Sequence, residues 1–367
     1  MMKKKMILAD CDERYMKELA YFFMERVPQL ELVTFTKKEK MYQYLEQGNA
    51  VDILVVDEML AGERLKGLTP DVTRIAMSVS MSGIDGFEVI KKYQKMENLS
   101  DAILLKYAEE KGTLETVKGD NDTKIAAFFN PAGGTGKTAL ALALATAGAR
   151  AGMRVLYLNL EEIDSTDDVL GKTEGTLSDV FLALKTKGMN AGIKLKASAG
   201  MEETAGFYYV SGVESISEYE EITGKDLQKL LRATAELAIY DLVIVDQASG
   251  FTERTKVILK EADTILVPVI LEEDNMAKWQ RLLGESRLHD SYDGLFQKMK
   301  MILNKAGAAG WGNEPFFNEL CSRMPCCASI PLTAVLAKRS SILHAGDATW
   351  QFMRPILQVV TGREIND

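Results

Sequence analysis

Residues 133–138 read Gly-Gly-Thr-Gly-Lys-Thr, a string that can hold a polyphosphate. Gly133, Gly134 and Gly136 leave backbone N–H groups free to converge on phosphate oxygens, Lys137 adds a point charge, and the Thr138 hydroxyl can ligate Mg²⁺. Thr135 and Ala139 complete the candidate phosphate-binding set. Five residues before Gly136 stands Pro131, which has no N–H to donate, so the loop departs from the ordinary Gly-x4-Gly-Lys-Thr form. A second acidic position follows at Asp246, the end of an apolar run from Leu242. Thr138 alone would leave a metal underligated, and Asp246 can hold Mg²⁺ directly or through water beside a triphosphate. A third group lies near the N-terminus: Asp10 and Asp12 follow the apolar residues 5–9, and Asp57 follows the apolar residues 51–56. Carboxylates at the C-terminal ends of parallel strands stand where open α/β sheets build their sites, and three of them suggest a cation site.

These residues need elements to position them. Residues 124–130 form an apolar strand that enters the glycine loop, and an Ala/Leu-rich helix begins near Ala139. Further short runs at 154–160, 207–210, 242–245, 264–270 and 299–303 are apolar on both faces, with helical stretches such as 225–237 between them. This predicts an α/β fold with a mostly parallel sheet covered by helices on both faces. The segment 161–206, rich in Gly, Lys, Thr and Ser, is expected to be the mobile region. In the N-terminal part, Tyr15, Leu19, Phe22 and Phe23 recur at helical spacing after the first strand. Residues 73–80 and 87–93 are both strand-like, yet 81–86 leave no room for a helix between them. A helical pattern returns over 97–111. The reading is an N-terminal α/β domain over 1–111, a linker over 112–122 and a second domain over 123–367.

A chain of 367 residues exceeds the size of one ordinary core, which agrees with two domains. Its net charge of −9 argues against nonspecific binding to nucleic acid or anionic lipid over the whole surface. The start, Met-Met-Lys-Lys-Lys-Met and one short strand, is too brief for a signal peptide, and no apolar run reaches the roughly 18 residues of a membrane span. A cytoplasmic protein is expected. Cys11, Cys321, Cys326 and Cys327 show no C-x2-C spacing, and only His289 and His344 accompany them, which argues against zinc and for reduced thiols. Near the C-terminus Trp350, Met353, Ile356, Leu357 and Val360 share one helical face, expected to be core rather than a membrane tag because few basic residues flank it.

Two resemblances follow from these residues. Residues 3–111 resemble a response-regulator receiver domain, a flavodoxin-like fold. The resemblance implies Asp10 and Asp12 as a Mg²⁺-binding pair, Asp57 as phosphoacceptor, Ser78 or Ser80 at the hydroxyl position and Lys92 (or Lys91) at the lysine. The missing helix between 80 and 87 departs from that family and leaves open a working receiver or a degenerate one used for docking. Residues 123–367 resemble the MinD/ParA class of P-loop ATPases through Gly-Gly-x-Gly-Lys-Thr, the strand-end Asn159-Leu-Glu161, Asp246, Asn304-Lys305 and Ile330-Pro331. The resemblance implies ATP and Mg²⁺ as cofactors, with Lys137, Glu161 and Asp246 as catalytic residues and Glu161 orienting water. Asn304 would recognise the adenine edge, Pro331 would wall the base, and ATP would hold a homodimer.

Two positions differ from that class. Ala132 stands where its members carry a lysine that reaches the partner's nucleotide, and Asn159 replaces an aspartate. The first difference predicts tight ATP binding with slow or no hydrolysis. A receiver-like domain ahead of such an ATPase resembles the TadZ/CpaE proteins, which implies a localisation factor for a Tad-type pilus, placed at a cell pole and docked on a landmark or secretion component. The alternative is a cycling ATPase of DNA partitioning or of flagellar or division-site placement.

Overall fold

The apolar runs of the N-terminal part assemble into a five-stranded sheet. In a computed structural model that describes residues 3–286, 293–307 and 315–365, the chain divides into two units, Met1–Val117 and Lys118–Asp367. His289 lies outside the described residues. In the first unit β1 (Lys4–Ala9), β2 (Leu30–Phe35), β3 (Ile53–Asp57), β4 (Thr73–Ser78) and β5 (Glu88–Lys91) stand in the order β2-β1-β3-β4-β5. All pairs are parallel, and this is the flavodoxin-like order. Every residue of β3 is buried, as a strand covered on both faces requires. Asp12 caps the helix Glu13–Arg26 by accepting from the N–H groups of Arg14 and Tyr15. Between β4 and β5 residues 79–87 form no helix, and Val79 and Met81 are left 62% and 51% exposed.

The second unit holds an eight-stranded sheet: β6 (Lys124–Phe128), β7 (Val155–Leu160), β8 (Gly200–Met201), β9 (Tyr208–Val210), β10 (Leu242–Gln247), β11 (Thr264–Val269), β12 (Met299–Ala306) and β13 (Cys326–Pro331). Their order is β13-β12-β11-β6-β10-β7-β9-β8, and only the β8–β9 pair is antiparallel. The central strands β7, β10 and β11 are buried throughout. Beside them the helix Lys137–Arg150 buries almost all of its Ala/Leu surface, and the helix Gly346–Thr361 contacts the same core. Met353, Ile356 and Leu357 are fully buried there, each worth about 1.5–3 kcal/mol of apolar transfer. The apolar C-terminal face thus belongs to the core. Among the described residues no helix is long and apolar enough to cross a membrane.

The segment 161–206 is more regular than its composition suggests. It contains the helices Asp167–Leu170, Leu177–Lys185 and Ala191–Ser198. A reciprocal cap between Thr176 and Asp179 starts the second, and the Asn190 side chain starts the third. Some of its polar residues, Thr176, Asp179 and Asn190, are helix caps, while Leu177, Val180 and Phe181 go inward.

Candidate functional site

Strand β6 delivers the chain to the carboxyl edge of the sheet, where β10 and β7 end beside it. The register pairs Asp246 with Asn159, so the two strand-end residues are neighbours. Gly134 and Gly136 take φ of 73° and 90°, the left-handed region that glycine adopts without strain. A Cβ on Gly136 would also lie 2.5 Å from Asn304 Nδ2. Side chains draw the loop carbonyls away: Asn304 Nδ2 donates to the Thr135 carbonyl (2.8 Å), Lys305 Nζ to that of Gly134 (2.9 Å) and Ser249 Oγ to that of Ala132 (3.0 Å). The Ala132 N–H is spent on Asn130 Oδ1 at 2.8 Å. Beyond the loop, the first turn of the helix Lys137–Arg150 has N–H groups without intrahelical partners. Gly133 to Ala139 line one wall of a cleft of about 590 Å³, with Glu161, Asn304, Pro331 and Arg339 on other sides. That volume is within the usual range for a small-molecule site.

The electrostatics of the cleft are incomplete. Asp246 is fully buried; its Oδ2 accepts from the Tyr157 hydroxyl at 3.1 Å, and its Oδ1 has no hydrogen-bond partner. Burial pushes the Asp246 carboxyl up, opposed by the Thr138 hydroxyl and the Lys137 ammonium. Lys137 is 6% exposed, yet its Nζ donates to the neutral Ser249 Oγ at 2.5 Å rather than to a carboxylate. Burial lowers its pKa, and the charges of Asp246 and Glu161 act against that. Glu161 is likewise raised, by burial first and by Asp246 second, with Lys137 and Arg339 pulling it back. The Thr135 hydroxyl is a further buried group without a partner.

An orphaned carboxylate oxygen, a buried cation on a neutral partner and a ring of free N–H groups form a donor set that fits a phosphate chain with its divalent cation. Thr138 and Asp246 would hold Mg²⁺, and Lys137 with the loop amides would hold phosphate oxygens. Mg²⁺ bound there would neutralise phosphate charge as the terminal group leaves.

The loop after β7 explains the asparagine. Asn159 Oδ1 accepts from the Glu161 N–H at 2.9 Å, and Nδ2 donates to Asp164 Oδ1 at 2.6 Å. Asp164 also receives the Thr166 N–H and hydroxyl and, on its other oxygen, the Gly212 N–H. An aspartate at 159 would set two carboxylates in contact; the amide supplies the donor that this loop needs. Sequence reasoning did not find Tyr157, Asp164, Ser249 or Arg339. Ser249 lies three residues beyond Asp246, a weak signal, while Arg339 lies far from the loop in sequence and carries none. Its Nη1 donates to Ser165, to the carbonyl at 3.2 Å and to the hydroxyl at 2.5 Å.

In the N-terminal unit Asp10, Asp57 and Lys92 come together, and Asp12 does not join them. Lys92 Nζ lies 2.7 Å from Asp10 Oδ2 and 2.5 Å from Asp57 Oδ2, with all three side chains nearly buried. Burial alone would lower the Lys92 pKa, but the ion pair with Asp10 and the hydrogen bond to Asp57 outweigh it and raise it. Tyr15 and Tyr93 cover the ammonium, their ring centres 5.3 and 5.0 Å away. Asp12 is exposed and caps its helix. The three carboxylates expected round a cation are therefore not arranged that way: a lysine stands between two, and the third serves a helix. Among the described residues no three acidic, cysteine or histidine side chains are grouped to hold a metal. Of the alternatives left open by the sequence, Lys92 rather than Lys91 faces Asp57, and Ser78 is buried while Ser80 is exposed. The Ser78 hydroxyl donates to Glu58, a further residue not foreseen.

Residues 123–288 match a family model described as an AAA domain. No protein with a curated description matches the sequence. Among solved structures, the cell division ATPase MinD of Pyrococcus furiosus is similar at 18% identity and TM-score 0.50, covering 64% of this chain and 99% of that one. MinD in the MinC:MinD complex of Aquifex aeolicus is similar at 17% and 0.51, covering 66% and 98%. The ATP complex of McdA from Cyanothece is similar at 16% and 0.50, covering 65% and 95%. At these identities the likeness is one of fold, and the fold of the second unit is that of the P-loop NTPases of the MinD/ParA kind.

Proposed function

We propose that this protein is an ATP-dependent dimerising switch in which Mg²⁺-ATP fills the cleft, closes a homodimer across the nucleotide face and is hydrolysed slowly or not at all. Lys137 and the amides of residues 133–139 hold the phosphates, and Thr138 and Asp246 hold the metal. Glu161 orients water. Asn304 spends its Nδ2 on Thr135, which leaves Oδ1 to accept from an amino group such as that of adenine, and Pro331 walls the base. The observation that carries this reading is the fully buried Asp246 with an unpartnered oxygen, beside Thr138 and Lys137, which line the cleft. Slow turnover is supported by Ala132, which offers no charge where the MinD/ParA class has a lysine. McdA is known bound to ATP, and MinD forms a complex with MinC, so both ligand and partner binding have precedents on this fold.

The cellular role in this reading is that of a localisation factor for a Tad-type pilus or secretion apparatus, concentrated at a cell pole in the cytoplasm. The N-terminal unit is a degenerate receiver that docks a landmark or a secretion component. Two observations support docking over phosphotransfer: Lys92 already engages Asp57, and Met59, Val79, Met81 and Tyr93 are exposed beyond the strand ends of the same sheet. If a phosphoryl donor labels the protein more than it labels Asp57→Asn, the docking reading fails.

Light scattering with Mg²⁺-ATP, with Mg²⁺-ADP and without nucleotide, with phosphate release followed in the same samples, tests the switch. The expected result is a dimer that persists with ATP and releases negligible phosphate, and that Lys137→Ala cannot form. Brisk turnover with a transient dimer would favour the second reading, a cycling ATPase of partitioning or placement. One observation speaks for that alternative: Arg339 puts a positive charge into the cleft from which Ala132 has removed one.

A further inference from the structure

The cleft is lined by three basic side chains among the described residues, Lys137, Lys305 and Arg339. Two have their tasks. Lys137 belongs to the phosphate loop, and Lys305 holds the Gly134 carbonyl. Arg339 differs from both. It comes from the helical turn Arg339–Ile342 beyond β13, and its Nη1 alone is engaged, on the neutral Ser165. Nε and Nη2 keep donors to spend. The position of the side chain within the cleft is also informative. It lines the cleft while its Nη1 holds Ser165, four residues beyond Glu161 at the end of β7, so it stands toward the metal and terminal-phosphate end. Asn304 and Pro331 mark the other end.

We propose that Arg339 supplies, from within the same chain, the positive charge that faces the terminal phosphate of a bound nucleoside triphosphate, and so makes the site prefer triphosphate over diphosphate. The inference rests on the ATP-binding reading above and adds a determinant of nucleotide state to it. A guanidinium is suited to this task, because its planar fork can meet two oxygens of one phosphate. Its tether gives the charge a second consequence. Ser165 sits four residues beyond Glu161 in the loop organised by Asn159 and Asp164, so an Arg339 that turns from Ser165 to a phosphate releases the segment carrying Glu161. A charge supplied in this way needs no partner subunit, so the preference is present in dilute monomer.

Titration calorimetry with Mg²⁺ and either a non-hydrolysable ATP analogue or ADP tests this on the full chain. The wild type is compared with Arg339→Ala, Arg339→Lys, Ser165→Ala and the nucleotide-blind Lys137→Ala. The expected result is a loss of roughly 10- to 100-fold in analogue affinity for Arg339→Ala with less than about twofold change for ADP. Arg339→Lys should recover part of the loss. Ser165→Ala, which frees the guanidinium without removing it, should keep the preference or increase it. Equal losses for both nucleotides, or none, would overturn the proposal while leaving ATP binding intact. Loss of preference in Ser165→Ala would overturn it as well, because Arg339 would then act only through the loop. If the wild type bound neither nucleotide, the ATP-binding reading itself would fall, a result distinct from the others.

Discussion

Each unit of this protein places carboxylates at the C-terminal ends of parallel strands and a lysine close to them, but the two sites are built to opposite ends. In the N-terminal unit Lys92 closes on Asp10 and Asp57, and two tyrosine rings cover it. In the second unit Lys137 is held on a serine and lines a cleft, and the buried Asp246 keeps an unpartnered oxygen. In the first site each charged side chain is in direct contact with an opposite charge. The second leaves Lys137 on a neutral hydroxyl and one oxygen of Asp246 without a hydrogen bond, and a phosphate chain with its metal is what would engage both. The same residue types therefore serve stability in one place and recognition in the other, and the partner of the lysine separates the two cases.

The sharpest way to break this contrast is to remove the N-terminal cation. Lys92→Met leaves two buried carboxylates uncompensated and should cost about 3–5 kcal/mol in denaturant unfolding of that unit. Adding Asp10→Asn and Asp57→Asn to the same variant should restore much of the loss. A small effect of Lys92→Met alone would mean that the ion pairs are not what holds this site. A smaller effect is expected at the strand-end loop of the second unit. Asn159→Asp removes the donor to Asp164 and faces one carboxylate with another, which should cost about 1–3 kcal/mol at neutral pH. A thermal scan at pH 7 of Asn159→Asp against wild type checks this, and an unchanged melting temperature would show that the amide donor is not needed there.

The smallest effect concerns Glu161 and has a definite sign. Its folded pKa is raised, so the stability linked to its protonated form is fully present below the ordinary carboxylate range and is lost as pH rises through the folded value. Glu161→Gln should therefore melt like the wild type in mild acid and above it at neutral pH. A lower melting temperature at pH 7, or a difference that does not change with pH, would show that the second site is not strained by its own charge.

Much of the second site was legible because its parts are local. A strand, a glycine loop and a helix follow one another in sequence, and Asp246 ends an apolar run, so periodicity and residue type placed Lys137, Thr138 and Asp246 without any long-range information. The parallel sheets were legible for the same reason, as continuous apolar runs such as residues 53–56 and 242–245. What escaped depends on packing between distant segments. Tyr157 beneath Asp246, Asp164 beside Asn159 and Arg339 on Ser165 are set by how β7, its loop and the helical turn after β13 come together, and no spacing announces them. The helices within 161–206 were hidden by the Gly, Lys, Thr and Ser around them, and a cap such as Thr176 adds to this because threonine marks helix starts and loops alike. In the N-terminal unit the resemblance put Lys92 or Lys91 beside Asp57, but neither it nor the count of three carboxylates showed that Lys92 also engages Asp10 and that Asp12 stands apart.

The side chains of Asn304 and Lys305 bear on how ligand and loop meet in time. Both reach from the end of β12 to carbonyls of the glycine loop and hold them through contacts made within the chain itself. A flexible loop would first have to be ordered by the incoming molecule, and binding would carry that entropic burden and a conformational delay. Here the ordering belongs to folding. Encounter should thus be governed by diffusion and charge, and the lifetime of the complex by the contacts to phosphate, metal and base.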